Sequence, residues 1–413
     1  MKFKKIKINQ WKQFENLDID FHPKLTVLTG ANCSGKTTIL NLLSKHFGWN
    51  FQELSTPAKD KESGLIRFFN RFFKFPFSKT GKSDDNIIGS LHYDNNTKAD
   101  LTLPDSDSVQ YQVKFDRIQH VEGFFIPSHR YVFSYIPIDQ FSPRKRKKKQ
   151  AFDLVSNSYR QRTFGSSDKP SNYYIKESLL TWAIFGEGNR YIEPDREQIS
   201  YFLDFQEILR KILPPSIGFR EFTIRNTEIV LITDSGDFML DAVSGGISNL
   251  IDLSWQIFMY ETKENNEFVV LIDEVENHLH ATMQRHVLPD LLKAFPHVQF
   301  IVSTHNPLIV GSVRESNVYA LRYNENNKVF SEQLDLINKT NSASEILREV
   351  LGVPFTMPLW VEDEYNRIYD KYSNKEISNK LLTELRQDMK TIGLENLIPA
   401  MITKVVDTRD KNK

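Results

Sequence analysis

The chain has 413 residues, 53 basic and 53 acidic, so its formal net charge is zero. That balance excludes nucleic-acid binding through overall charge; any such contact needs a local patch. A hydrophobic content of 40% suffices for a sizeable core in one or two domains, and a single cysteine excludes a disulfide framework and fits a reducing compartment. No apolar run has the length of a membrane span, and residues 1–8 alternate like a strand without the apolar block of a signal peptide. A soluble, cytoplasmic protein with no membrane partner is expected.

Residues 2–9 and 15–21 read as paired strands, and 25–29 as a short apolar strand that enters Gly30-Ala31-Asn32-Cys33-Ser34-Gly35-Lys36-Thr37-Thr38. A helix follows to about residue 47. Residues 65–73 carry Leu65, Phe68, Phe69, Phe72 and Phe73 at helical spacing, which predicts a helix packed on the core or an aromatic face for a partner. Several short strands are expected over 87–127, and a polar, basic, mobile loop or lid over 141–172. Residues 173–213 read as helical with a break near Gly186-Glu187-Gly188, and strands return at about 217–233. A helix opens near Ser244. An apolar strand over 268–273 ends in an acidic pair, a helix starts near Thr282, and a strand over 298–303 ends at Ser303-Thr304-His305. The tail after about 341 is helical, with a capping box at Ser342-Ala343-Ser344-Glu345 and a second stripe of Leu381, Leu382, Leu385 and Met389. There is no internal repeat and no long heptad run.

Strand, glycine loop and helix in that order form the setting of a phosphate-binding loop. Gly30 and Gly35 permit turns that aim successive N–H groups at an anion, and the helix start adds its positive dipole end. Ala31, Asn32, Cys33, Ser34 and Thr38 complete the segment. Lys36 is expected to reach the β- and γ-phosphates of ATP, and Thr37 to ligate Mg²⁺. Asp273 ends a strand that reads as buried, where a carboxylate needs a cation; Mg²⁺ suits it. Glu274 is the candidate base for the attacking water. Ser244, Gly245 and Gly246 open a helix whose start can approach an anion. His305 stands where a ring can contact the γ-phosphate or the attacking water.

In this order the segments resemble the ABC-type ATPase heads of the RecF, SMC and OLD group. Asp273-Glu274-Val275-Glu276-Asn277-His278-Leu279-His280 looks like that group's Asp-Glu-Pro-Glu-x-x-Leu-His element, and Ser303-Thr304-His305-Asn306-Pro307 looks like its switch segment. The resemblance covers residues 1–50 and 240–325. It implies an α/β fold: a P-loop ABC-type ATPase head with inserted antiparallel β-strands, a helical lid region and a helical C-terminal tail. It also implies a head-to-tail homodimer closed around two ATPs. Lys36, Thr37, Asp273, Glu274 and His305 would act from one side, and Ser244 and Gly246 from the other. Cys33 stands where the group usually has glycine, and Val275 where it usually has proline. The nearest candidate for its Mg-contacting glutamine loop is Ser128-His129-Arg130. Trp11 or Phe14 could stack on adenine or be core. The expected parts are 1–140, an N-terminal lobe; 141–215, a basic loop and helical insertion; 216–340, a C-terminal lobe with the signature; and 341–413, a tail for a partner or an oligomer.

The chain further resembles the Septu-like and retron-associated ATPases of anti-phage systems, in part through residues 344–353. That implies an ATPase subunit that controls a separate nuclease; the alternative is a RecF-like repair ATPase that binds DNA and recruits other factors. Trp360-Val361-Glu362-Asp363 resembles the first element of an appended nuclease only faintly, and reads as a helix start. No nuclease activity of the chain itself is expected. Arg144-Lys145-Arg146-Lys147-Lys148-Lys149 is six consecutive cations: a solvated loop, or a contact for DNA or RNA. Cys33, among phosphate-facing amides, is a tolerated small residue or a redox-sensitive one.

Overall fold

The computed structural model describes residues 1–413 except 60–63, 65, 70–85, 105–107, 141, 143, 166–168, 263–265, 336–341, 353–358, 374, 376–377 and 411–413. The contacts divide it into two units, Met1–Ile346 and Leu347–Lys413.

In the first unit, β1 (Phe3–Trp11) and β2 (Phe14–Asp20) form a hairpin with Trp11 opposite Phe14. β3 (Leu25–Gly30) is buried at every position and leads through the glycine loop to α1 (Lys36–Ser44). β4 (Glu53–Leu54) pairs with β9 (Gln110–Tyr111), and β5 (Thr56–Lys59) with β6 (Ile66–Phe69). β7 (Ile87–Tyr93), β8 (Lys98–Thr102), β10 (Lys114–Asp116) and β11 (Gly123–Ile126) complete the first half.

Three helices follow: α2 (Lys148–Phe164), α3 (Ser171–Glu187) and α4 (Arg196–Ile212). α4 is capped by Asp195, which accepts from the N–H groups of Glu197 and Gln198. β12 (Phe219–Arg225), β13 (Glu228–Thr233) and β14 (Gly236–Met239) make a separate antiparallel sheet before α5 (Gly245–Tyr260). Then come β15 (Val269–Ile272), α6 (Ala281–Ala294), β16 (Gln299–Ser303), α7 (Pro307–Val310), β17 (Asn317–Tyr323) and β18 (Val329–Gln333).

The main sheet runs β10-β8-β7-β1-β2-β18-β17-β3-β16-β15-β11. One side, from β10 to β2, is antiparallel. The other, β17-β3-β16-β15-β11, is parallel. β3, β15 and β16 are buried along their whole length, as central parallel strands with both faces covered must be. Their carboxyl ends lie on one edge, where open parallel sheets bind ligands. This is the α/β head expected from the sequence.

Two expectations are corrected. Where it is described, the aromatic stripe is not a helix: Ile66–Phe69 is a strand, with Phe68 opposite Pro57; Leu65, Phe72 and Phe73 lie outside the described residues. Over Ile66–Phe69, antiparallel pairing with β5 takes the place of the helical spacing read from the sequence.

The basic run is not a mobile loop either, because it enters α2. Arg146 is buried, donating to Glu177 Oε1 over 2.9 Å and to Ser178 Oγ over 3.0 Å. Lys145 pairs with Asp195 at 2.6 Å, and Lys148 lies 3.6 Å from the centre of the Phe258 ring. Burial pushes Lys148 down to about 8. Half of the run is thus spent on the helical layer.

In the second unit, helices Leu359–Ser373, Asn379–Thr391 and Ile398–Asp410 pack around Tyr372, Leu385, Met389 and Met401. Trp360-Val361-Glu362-Asp363 lies in the first turn of the first of them. The capping box forms as read: Ser342 N–H donates to Glu345 Oε2 over 2.7 Å, and Glu345 N–H to Ser342 Oγ over 3.3 Å. Among the described residues no helix is long and apolar enough to cross a membrane.

Candidate active site

The glycine loop is shaped by contacts that leave no room for larger residues. Gly30 has φ +142°, and a Cβ there would come within 2.6 Å of Leu321 O. Gly35 has φ +96°, and a Cβ would come within 2.3 Å of Phe14 Cζ. Phe14 is therefore part of the loop's floor. Phe14 and Trp11 are both buried, and Trp11 Nε1 donates to Tyr111 OH, so neither presents a free face to an adenine. Cys33 is exposed and holds φ +63°, a left-handed backbone that glycine adopts without strain.

Lys36 folds back over the loop. Its Nζ donates to Gly30 O over 2.8 Å and to Ala31 O over 3.0 Å. Burial pushes its pKa down, against the pull of Asp273, Glu276 and Glu274. An ammonium held by neutral carbonyls and poor in water gains from an incoming anion. Beside it, Ser34 Oγ and Thr29 Oγ1 are buried without a hydrogen-bond partner.

Thr37 and Asp273, 236 residues apart, meet: Thr37 Oγ1 lies 3.0 Å from Asp273 Oδ2 and 3.2 Å from Oδ1. Ser303 Oγ also donates to Asp273 Oδ1. Burial raises the Asp273 pKa, and the two hydroxyls oppose that rise. A buried carboxylate next to a hydroxyl is a donor pair of the oxygen type that a hard divalent ion takes. The residues present thus fit ATP and Mg²⁺.

Glu274 follows with φ +48°, a left-handed backbone fastened on three sides. Its N–H donates to Ser303 Oγ over 2.8 Å, its carbonyl accepts from Arg130 Nη2, and its Oε2 accepts from Asn277 Nδ2 over 3.0 Å. Arg130 is buried and also donates to Asp273 O over 2.8 Å. Ser128 O accepts from Asn277 Nδ2 over 2.8 Å. The segment after β11 thus lies directly against the acidic pair.

The switch segment ends β16. His305 is half exposed, and its N–H donates to Glu276 Oε1 over 2.8 Å while Nδ1 lies 3.2 Å from the same oxygen. The signature is held differently. Ser244 is exposed and its hydroxyl caps no N–H of α5. A Cβ at Gly246 would come within 3.0 Å of Met283 Sδ and 3.1 Å of His278 O, and one at Gly245 within 3.7 Å of His278 Cβ. Asn249 Nδ2 donates to Asn277 O over 2.6 Å. The start of α5 packs on the segment after the acidic pair, and none of these neighbours belongs to the glycine loop.

Sequence reasoning passed over Ser303, Asn277, Glu276 and the guanidinium of Arg130 as holders of the acidic pair and the switch. Only Arg130 carried a cue: a cation four residues after the buried Ile126, at the same sheet edge as Asp273.

A family model described as "AAA domain, putative AbiEii toxin, Type IV TA system" matches residues 25–311. The chain is 26% identical over 186 residues to the Escherichia coli protein named "Retron Ec83 probable ATPase". That stretch is 43% of this chain and spans only 32% of the relative's length. It is 22% identical over 398 residues to Septu protein PtuA of Bacillus thuringiensis, covering 91% of each. The SMC head domain from Thermotoga maritima is similar with a TM-score of 0.42 at 14% identity, over 81% of this chain and 100% of that one.

Proposed function

The chain belongs to the family described as AAA domain, putative AbiEii toxin, Type IV TA system, and on that premise we propose that it closes as a homodimer around two Mg²⁺-bound ATPs and hydrolyses them slowly to gate a separate nuclease in anti-phage defence. The observation that carries the nucleotide part is the meeting of Thr37 with Asp273 beside the lysine-lined loop. Residues 30–38 and Lys36 bind the phosphates. Thr37 and Asp273 would hold Mg²⁺, which when bound neutralises charge on the phosphate oxygens. Glu274 takes the proton of the attacking water, and His305 orients that water.

Support for the dimer is the exposed Ser244 at the start of α5, whose glycine neighbours sit on His278 and Met283 and away from the loop. In a head-to-tail pair it reaches the γ-phosphate held by the other copy. Support for defence is the relation to proteins named for a retron and for Septu. Contact with DNA or RNA falls to Arg144, Lys147 and Lys149, exposed members of the basic run; Lys145 is exposed too but is paired with Asp195.

The test is co-purification from the native operon with ATP and the Glu274→Gln variant, read by mass spectrometry. A stoichiometric nuclease in the eluate is expected. A lone dimer that retains DNA only with ATP would overturn the defence reading in favour of a RecF-like one.

A further inference from the structure

The start of α5 has little of its own to hold it: the Ser244 hydroxyl caps no N–H there, and Gly245 and Gly246 carry no side chain. The chain is fixed three residues before Ser244, at Asp241 in the short turn Leu240–Ala242. Asp241 Oδ2 accepts from Lys176 Nζ over 2.5 Å and from the N–H of Ile136 over 3.3 Å, and its Oδ1 accepts from Asn172 Nδ2 over 2.7 Å. Lys176 Nζ also donates to Glu228 Oε2 over 2.7 Å and to Ile136 O over 2.8 Å, which uses all three donors of the ammonium. Asn172 Nδ2 donates to Ser134 O over 2.8 Å as well. The side chains of Lys176 and Asp241 are each 1% exposed, and Asn172 is buried. The cluster thus ties α3, β13 and the turn before the signature to the stretch 130–136. That stretch also holds the acidic pair through Arg130, and Val132 lies along the signature, its Cγ2 3.8 Å from where a Cβ at Gly245 would stand.

We propose that Lys176, Asp241 and Asn172 are positioning residues for the signature, holding Ser244 and the first N–H groups of α5 where the other copy's γ-phosphate meets them. This rests on the homodimer reading above and deepens it. Groups that act across an interface must be in place when the copies close, and a misplacement of about 1 Å can cost on the order of a hundredfold in rate. Apolar packing would bury this region as well as an ion pair does. What the cluster adds is direction: its bonds come from α3 and from the main chain of 134–136, and they converge on one carboxylate next to the signature. The defect of a loosened cluster therefore falls in trans. Such a copy binds its own nucleotide normally and serves its partner's site badly.

The experiment is complementation between full-length variants. Asn172→Ala removes the amide between Asp241 and Ser134 without stranding a charge, and Asp241→Asn keeps the volume and one acceptor oxygen. Each alone should lower kcat for ATP roughly tenfold, with ADP affinity within about twofold of wild type. Each is then mixed in equal amounts with Glu274→Gln, which lacks the base but has an intact signature. In a mixed pair, one site joins the intact Glu274 of the first copy to the intact signature of the second. Turnover of the mixture should therefore exceed the sum of the two variants measured apart. A merely additive mixture, with both cluster variants melting within a few degrees of wild type, overturns the proposal and leaves the dimer reading standing. Variants that melt far below wild type and do not complement also overturn it, since the cluster is then a prop of the fold alone. A wild-type chain that hydrolyses ATP while light scattering shows a single copy removes the dimer reading, and this proposal with it.

Discussion

Asn277 fastens Glu274 from below: its side-chain amide donates to Glu274 Oε2 over 3.0 Å, and its main-chain oxygen accepts from Asn249 of the signature helix over 2.6 Å. One residue therefore touches both the candidate base and the element expected to meet the other copy's nucleotide. Asn277→Ala should lower turnover roughly tenfold with ATP affinity kept, and Glu274→Gln roughly a hundredfold or more. Steady-state hydrolysis beside nucleotide binding checks both. Normal turnover in Asn277→Ala would show that Glu274 holds its place without it.

Arg130 holds the carbonyl oxygens of Asp273 and Glu274 with two arms of a single fork. Lysine has one point of attachment and cannot span both. Arg130→Lys should therefore lower turnover about tenfold and lower the melting temperature by a few degrees, since a buried carbonyl left without a donor costs about 1–3 kcal/mol. Thermal melts and hydrolysis rates together decide; an unchanged rate would reduce Arg130 to packing.

Within the basic run the side chains separate by burial. Arg146→Ala leaves Glu177 buried without its cation and should cost about 3–5 kcal/mol. Changing Arg144, Lys147 and Lys149 together to Ser should leave the melting temperature within a few degrees of wild type. If nucleic acid binds here, that triple variant loses retention in a gel-shift assay while ATP binding persists.

His46 sits between Phe3, Tyr93 and Phe115, with Nδ1 3.0 Å from Leu43 O and Nε2 2.9 Å from Tyr93 OH. Burial pushes its pKa down to about 4 from the usual 6.5. The unfolded chain then binds a proton in that window and the folded chain does not, so stability is full above 6.5 and falls as pH drops toward 4. The shift corresponds to about 3 kcal/mol. Urea titrations at several pH values should show this slope in wild type and its loss in His46→Gln.

Cys33 holds a positive φ that glycine adopts without strain. Cys33→Gly should preserve hydrolysis and raise stability by up to about 1 kcal/mol. If alkylation slows the wild type and spares this variant, the thiol has access to the nucleotide. Equal rates in both would end the redox reading.

The sequence determined the glycine loop, the apolar strands β3, β15 and β16, and the acidic pair, because each is local: a run of Val, Ile and Leu, a glycine spacing, a charge at a strand end. It also determined the capping box at Ser342, whose two bonds span three residues. It misread Ile66–Phe69, where a strand partner ten residues upstream overrides helical spacing, and the basic run, whose charges are absorbed by Glu177, Asp195 and Phe258. Only the tertiary structure decided that Thr37 meets Asp273, that Arg130 and Ser303 clamp the acidic pair, and that Glu276 faces His305. These contacts join residues that the chain separates by about thirty positions or more, brought together by the parallel order of the strands, and no local pattern of residue types records that order.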